Sequence, residues 1–341
     1  MVKSVLVGLL IALGVLVGKQ PYVDPVKLTW SPPKLTAPET IVVADQPVSD
    51  DHVVRIVLDP ARDYILKVGH MNKVGTLEVE GGNDVVIMGG RITCLEIVDS
   101  NTARGRGIAL WDNTGVFHVE GVLFENCGDG MVISSPASTV QLQNVRFQDI
   151  DAPYDLNHPD VIQTWRGPKE IRIDRLTADS SSKGFIWMSV DGTQPRRVNQ
   201  RRVNFRLWSQ GGSQPKGPEV FTWHTSAGTR STCYLCWSET AWYNSSLRRR
   251  LQDSWGTFDL PDGTHQFVPY RIVGANGRAV EIKTRAAHDA LHGDLGRRPG
   301  DYIERLAPSL EGERWYWGVP PGGDFVPANV PGVKYRSPGY G

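Results

Sequence analysis

The sequence predicts an all-β protein, a right-handed parallel β-helix with an N-terminal apolar segment and an irregular C-terminal tail. Three observations predict it. First, a short apolar strand recurs at Gly107–Asp112, Gly130–Ser135, Asp160–Trp165, Gly184–Ser189 and Glu219–His224, with starts 23, 30, 24 and 35 residues apart. Second, a further strand follows at a similar distance, as at Val116–Glu120, Val140–Val145 and Glu170–Arg175. Third, each unit holds strands and turns with no room for a helix. A period of this size signals a solenoid, propeller or array, and helix-free units make each repeat one coil. Parallel strands joined by crossovers take the right-handed sense almost always.

From the N-terminus, Lys3 precedes an unbroken apolar run from Val5 to Gly18, closed by Lys19. The run is short for a bilayer span and suits a signal-peptide core. Residues 1–19 are therefore a signal peptide or a membrane anchor. Pro21, Pro25, Pro32, Pro33 and Pro38 mark residues 20–40 as an extended linker or a cap. The solenoid follows over 41–260, with early strands at Val53–Val57, Thr76–Glu80 and Val85–Met88 and glycine turns at Gly81–Gly82 and Gly89–Gly90. Residues 261–341 form an irregular tail with a short helix over Arg285–Leu295. A solenoid needs its ends capped, so this tail packs on or caps the coils and covers apolar surface.

Composition narrows the function. The 37 basic residues balance the 37 acidic ones, so the footprint of a nucleic-acid binder is missing. Arg201–Arg202 and Arg248–Arg250 read as solvated turns. Four cysteines are too few for a disulfide scaffold in 341 residues. Cys94 and Cys127 read as buried thiols. Cys233 and Cys236, three apart in a strand, point to opposite faces and make a weak metal signal.

The coil pattern, and the stretch Asn157-His-Pro-Asp-Val-Ile-Gln163, resemble the pectate-lyase-like right-handed β-helix superfamily. Val161 stands where that motif usually has glycine. The resemblance covers about residues 41–246. It implies polysaccharide lyases, glycoside hydrolases, epimerases or phage tail spikes, because the fold alone does not fix the activity.

Alternation places Ile162 and Thr164 inside, and Gln163 and Trp165 outside. Aligning strand starts then sets Trp187 beside Gln163, and His224 and Asp112 in the column of Trp165. His158, Asp160 and Lys183 lie at the strand mouths. The expected site is one outward patch: His158, Asp160 and Lys183 catalytic, with Gln163, Trp165, Trp187 and His224 binding substrate. Lys183 or His158 serves as base or carboxylate neutraliser, and Gln163 hydrogen-bonds the carboxylate. Asp160 is the one strong acid at the patch, which favours β-elimination over hydrolysis by paired carboxylates. His158 and Asp160 equally fit a turn closed by hydrogen bonds. No cofactor is required; calcium enters if Asp129, Asp155 and Asp160 converge.

Two functions follow. One is an exported protein, extracellular or in the cell envelope, that binds an extended acidic polysaccharide and cleaves it by β-elimination. The other is a non-catalytic glycan-binding protein, such as a surface adhesin or a phage spike carried on the virion. A spike homotrimer would bury outward apolar residues such as Leu110 and Ile133. The membrane is a partner if the N-terminal segment is retained.

Overall fold

The structure, a computed structural model, describes residues 28–49, 52–95, 105–152, 159–181, 183–187, 192–207, 223–225, 230–238, 257–259, 265–267, 269–284, 286–287, 300–306 and 314–340. The apolar run Val5–Gly18, Pro21, Pro25, His158, Arg248–Arg250 and most of the expected helix lie outside these residues. No helix among the described residues is long and apolar enough to cross a membrane.

The chain is all-β, and its strands build two long parallel sheets. Numbered in chain order, the first sheet holds β1 (Glu39–Val42), β3 (Tyr64–Lys67), β6 (Val85–Met88), β9 (Val116–Glu120), β12 (Thr139–Ile150), β14 (Glu170–Ser180), β16 (Arg197–Leu207) and β18 (Arg230–Ser238). The short strands β4 (His70–Val74), β7 (Arg91–Cys94) and β10 (Leu123–Glu125) stack beside them and join the second half of β12. The second sheet holds β2 (Val53–Leu58), β5 (Thr76–Gly81), β8 (Arg106–Trp111), β11 (Asp129–Ser134), β13 (Asp160–Arg166), β15 (Lys183–Trp187) and β17 (Trp223–Thr225). Up to β18 the chain passes back and forth between the sheets, so hydrogen-bonded neighbours in the parallel stack are not consecutive in sequence.

The core lies between the sheets. Ile108, Leu110, Met131, Ile133 and Ile162 of the second sheet meet Phe117, Val119, Val140, Leu142, Ile171 and Ile173 of the first. All six residues of β11 are buried, with Asp129 and Ser134 at its ends and Met131, Val132 and Ile133 between them. Phe124 and Phe147 stack at 4.7 Å on adjacent rungs. Leu110 and Ile133 belong to this core, so they cannot form an outward trimer surface.

A row of left-handed residues bends the first sheet. Gly121, Asn144, Arg175, Arg202 and Leu235 have φ of 67°, 56°, 57°, 50° and 59°. Such a residue breaks the two-residue alternation, so positions three apart across it share a side. Leu142 and Val145 both face the core for this reason, as do Ile173 and Leu176. The same bend corrects the reading of the cysteines. Cys233 and Cys236 flank Leu235, face the same interior and are bonded to each other. Cys94 and Cys127 are also a disulfide, with an S–S distance of 2.05 Å, and they staple adjacent rungs. Arg201 and Arg202 lie within β16, not in a turn.

Beyond the parallel stack, the C-terminal region is more regular than its composition suggests. A hairpin pairs β19 (Thr257–Asp259) with β20 (His265–Phe267). β24 (Arg314–Trp317) adds to β18 in parallel, and β23 (Tyr302–Arg305), β21 (Tyr270–Val273) and β22 (Ala279–Ile282) extend it antiparallel. Residues 318–340 then return along the outer side of the first sheet.

Candidate functional site

The outer side of the second sheet carries two columns of side chains. In one, backbone pairing aligns Arg55, Glu78, Ala109, Val132, Gln163 and Ile186, and the His224 backbone pairs with Ile186. In the next, Val57, Glu80, Trp111, Ser134 and Arg166 align. Between Ile133 and Ser134 the register shifts, and Trp165 is the extra residue of a β-bulge. A bulge re-aims side chains and is common beside functional sites. Here the Trp165 ring meets Trp111 edge-on at 5.5 Å, and the Arg106 guanidinium lies 4.9 Å from its centroid. Arg166 Nε donates to Ser134 Oγ at 2.8 Å, and Nη2 donates to both Asp112 carboxylate oxygens at 2.8 and 2.9 Å.

At the strand mouths, Arg106 pairs with Asp129 and Asp160 pairs with Lys183 across the ladder. Asp129 and Asp160 sit on neighbouring rungs, so four charges line up in the order plus, minus, minus, plus. Arg106 Nε reaches Asp129 Oδ2 at 3.4 Å, and the Asp160 backbone N–H donates to Asp129 Oδ1 at 3.2 Å. Gln163 Nε2 also donates to Asp129 Oδ2, at 3.4 Å. Asp160 is 2 % exposed, and its Oδ1 has no hydrogen-bond partner among the described residues. Burial, and then repulsion from Asp129, push its carboxyl well above the usual carboxylate range, with the Lys183 charge acting in the opposite sense.

The structure brings together Asp160, Lys183 and Gln163, and sets Trp165 beside them through Arg106. It separates Trp187. The expected alignment set Trp187 beside Gln163, but Gln163 pairs with Ile186. That one-residue slip turns Trp187 to the opposite face. It is fully buried, stacked 5.7 Å from Phe185, and cannot meet a sugar. His224 falls in the column of Gln163, not of Trp165. His158 and Asp155 lie outside the described residues, and no metal-holding group of three or more His, Cys, Asp or Glu occurs among those described.

The first sheet's outer side holds a second polar cluster that the sequence reading passed over. His118 and Glu120 lie opposite Gln141 and Gln143 on the next rung. His118 Nε2 and Glu120 Oε2 are 2.9 Å apart, and both side chains are fully buried. Two chain segments cover them. Tyr335 OH donates to Glu120 Oε1, and Ser337 Oγ donates to Oε2 at 3.0 Å. Gln141 Nε2 donates to Ser31 O, and Gln143 Nε2 donates to Trp30 O at 2.7 Å. Burial, followed by the Glu120 charge, drives the Tyr335 phenol upward in pKa, so it remains a donor. The tail thus covers a polar row rather than an apolar one, and it lies away from Trp165. Matching His-x-Glu and Gln-x-Gln pairs 23 residues apart were the available signal.

Arg106, Trp111, Asp129 and Arg166 also complete the second-sheet face. Their signal was position: each occupies a strand end or the outward place next to a core residue. No protein-family model matches the chain, and no curated protein or solved structure matches it.

Proposed function

We propose that the chain is a right-handed parallel β-helix of the pectate-lyase-like kind, and that it binds an extended acidic polysaccharide along the outer side of its second sheet. One observation carries the reading: Trp165, re-aimed by a bulge, stands beside Trp111 and two arginines on a face built from successive rungs. Such a face repeats at about 4.8 Å per rung. An aromatic surface suits the apolar face of a sugar ring, and guanidinium suits a carboxylate. The alternation of one chain between two parallel sheets supports the β-helix. Two disulfides and the apolar run Val5–Gly18 support export, outside the cell or in its envelope, because disulfides persist in oxidising compartments.

Cleavage is the second reading, favoured by Asp129 and Asp160. Glycoside hydrolysis needs an acid and a base supplied by two carboxyls, and the Asp160 carboxyl, raised in pKa by burial, stands beside Asp129. With Asp129 at its side, Asp160 is no longer a lone acid. This pair favours hydrolysis over β-elimination. Both carboxyls are sealed from solvent, whereas Trp165 and Arg166 are partly exposed, so binding is the primary proposal.

The purified full chain should be retarded in gels containing polygalacturonate or alginate. Cleavage by hydrolysis would add reducing ends without unsaturated-product absorbance. Unretarded migration through every acidic and neutral polysaccharide tested would overturn the reading.

A further inference from the structure

We infer that Arg166 is the subsite that reads the carboxylate of a single uronate residue, and that Asp112 holds its place when no ligand is bound. This rests on the proposed polysaccharide face. Arg166 is on that face because of the bulge: Ile133 pairs with Thr164 and Ser134 with Arg166, which leaves Trp165 extra. One irregularity therefore delivers an aromatic ring and a guanidinium side by side. Trp165 is braced by Trp111 on one side and by Arg106 on another, and Arg106 is tied to Asp129. The ring is a fixed wall. Arg166 is fixed by Ser134, whose Oγ accepts from Nε and whose backbone O accepts from Nη2 at 3.4 Å, and the same Nη2 faces the carboxylate.

At present that carboxylate is Asp112. Both of its oxygens are held through Nη2, not by two nitrogens in the stronger fork arrangement. The side chains of Arg166 and Asp112 are 33 % and 50 % exposed. Ion pairs this open contribute little to stability, so exchange for another carboxylate is nearly free. Asp112 itself follows directly after β8 with φ of 46°, a left-handed conformation that Asp and Asn tolerate better than most side chains. Its backbone N–H donates to Ser134 O at 3.1 Å, the rung that also anchors Arg166. The carboxylate is thereby aimed at the guanidinium from the protein side, in the place a ligand's acid group would take from solvent.

Competition between two carboxylates gives opposite signs for two substitutions. The probes are polygalacturonate, alginate and their carboxyl-reduced forms, with affinity read by gel retardation at low and high salt. Arg166→Ala should weaken binding of the acidic polymer by about ten- to a hundredfold, the value of a hydrogen bond to a charged group. It should leave the carboxyl-reduced polymer unaffected. Asp112→Asn keeps the shape and the left-handed backbone but removes the competitor, so it should tighten acidic binding, most clearly at low salt. Circular dichroism checks that both variants fold. If the acidic polymer binds Arg166→Ala as well as the parent chain, the subsite is wrong while the polysaccharide face stands. Weaker acidic binding by Asp112→Asn would make Asp112 part of the ligand contact and overturn its role as a stand-in. If the parent chain retains no polymer, the face itself falls, and the subsite with it.

Discussion

The two parallel sheets treat buried charge differently on their outer sides. On the first, Glu120 is fully buried yet both oxygens are occupied, by His118, Tyr335 and Ser337. Asp174 is likewise held by Thr29 and Arg202. On the second, Asp160 is equally buried but keeps an oxygen without a partner among the described residues. The first arrangement is what a stable fold requires, because a buried polar group is expensive unless hydrogen-bonded. The second leaves a carboxyl poised to give up or keep a proton. His-Glu-Tyr chemistry on the first sheet resembles a catalytic set in composition, yet its partners close it as a seal. Composition alone does not separate a site from a seam; satisfied lone pairs do.

The hardest test of that contrast is Glu120→Ala. It strips three buried donors at once, and should destabilise the fold by about 3–5 kcal/mol, as breaking a buried pair does. Chemical denaturation would measure the loss, and limited proteolysis should now cut residues 325–340. An unchanged midpoint would mean that the seal contributes nothing. Trp187→Ala should be similarly severe, at about 3–5 kcal/mol, because a large core side chain is removed. Polymer retardation per folded molecule should stay as it was. Selective loss of binding without loss of stability would return Trp187 to the outer face.

Asp160→Asn sharpens the comparison through pH. Burial raises the Asp160 pKa in the folded state above the ordinary carboxylate value of 3.8, so the folded state holds its proton more tightly than the unfolded chain. Its contribution to stability is therefore intact below 3.8 and is lost as pH rises through the elevated folded value. The asparagine variant should gain stability over the parent at neutral pH and show little gain in acid. Paired melting curves at the two pH values give the answer; a neutral-pH loss larger than the acid one contradicts it. The smallest effect should come from Arg55→Ala, also on the second sheet. Its ion pair with Glu78 at 3.0 Å is partly exposed, and removal should shift stability by no more than about 1 kcal/mol. A larger shift in denaturant midpoint would show that open charges matter on this face.

Strands were legible because apolar alternation is local. Val116–Glu120 coincides with β9, and Val53, Thr76 and Val85 each open the strand expected of them. Register was less legible, because it depends on turn lengths that pattern alone does not give. β15 was set to begin at Gly184, one residue after Lys183, the true partner of Asp160, and that slip was enough to bring Trp187 out of the core. Gln163 and Trp165 kept their expected outward side, because their orientation rests on neighbours within one strand. The disulfides were missed for two different reasons. Cys94 and Cys127 meet through stacking of distant segments, while Cys233 and Cys236 meet because Leu235 adopts a conformation that leucine rarely takes. Asp129 was visible as a calcium candidate, but its place beside Asp160 follows only from the ladder.

The tail that closes over Glu120 also sets a clock. Tyr335 lies 215 residues beyond its partner, and Tyr340 OH donates to Pro33 O across 307. A ribosome adds about 5–20 residues per second, so Glu120 emerges roughly 10–40 s before the phenol that will cover it. Rungs can stack in the order in which they are made; their cover cannot. During that interval the His118–Glu120 pair faces solvent, and early strands wait with one side open. Only after Tyr340 has emerged can this segment lie along the finished stack and fasten to Pro33, made 307 residues earlier.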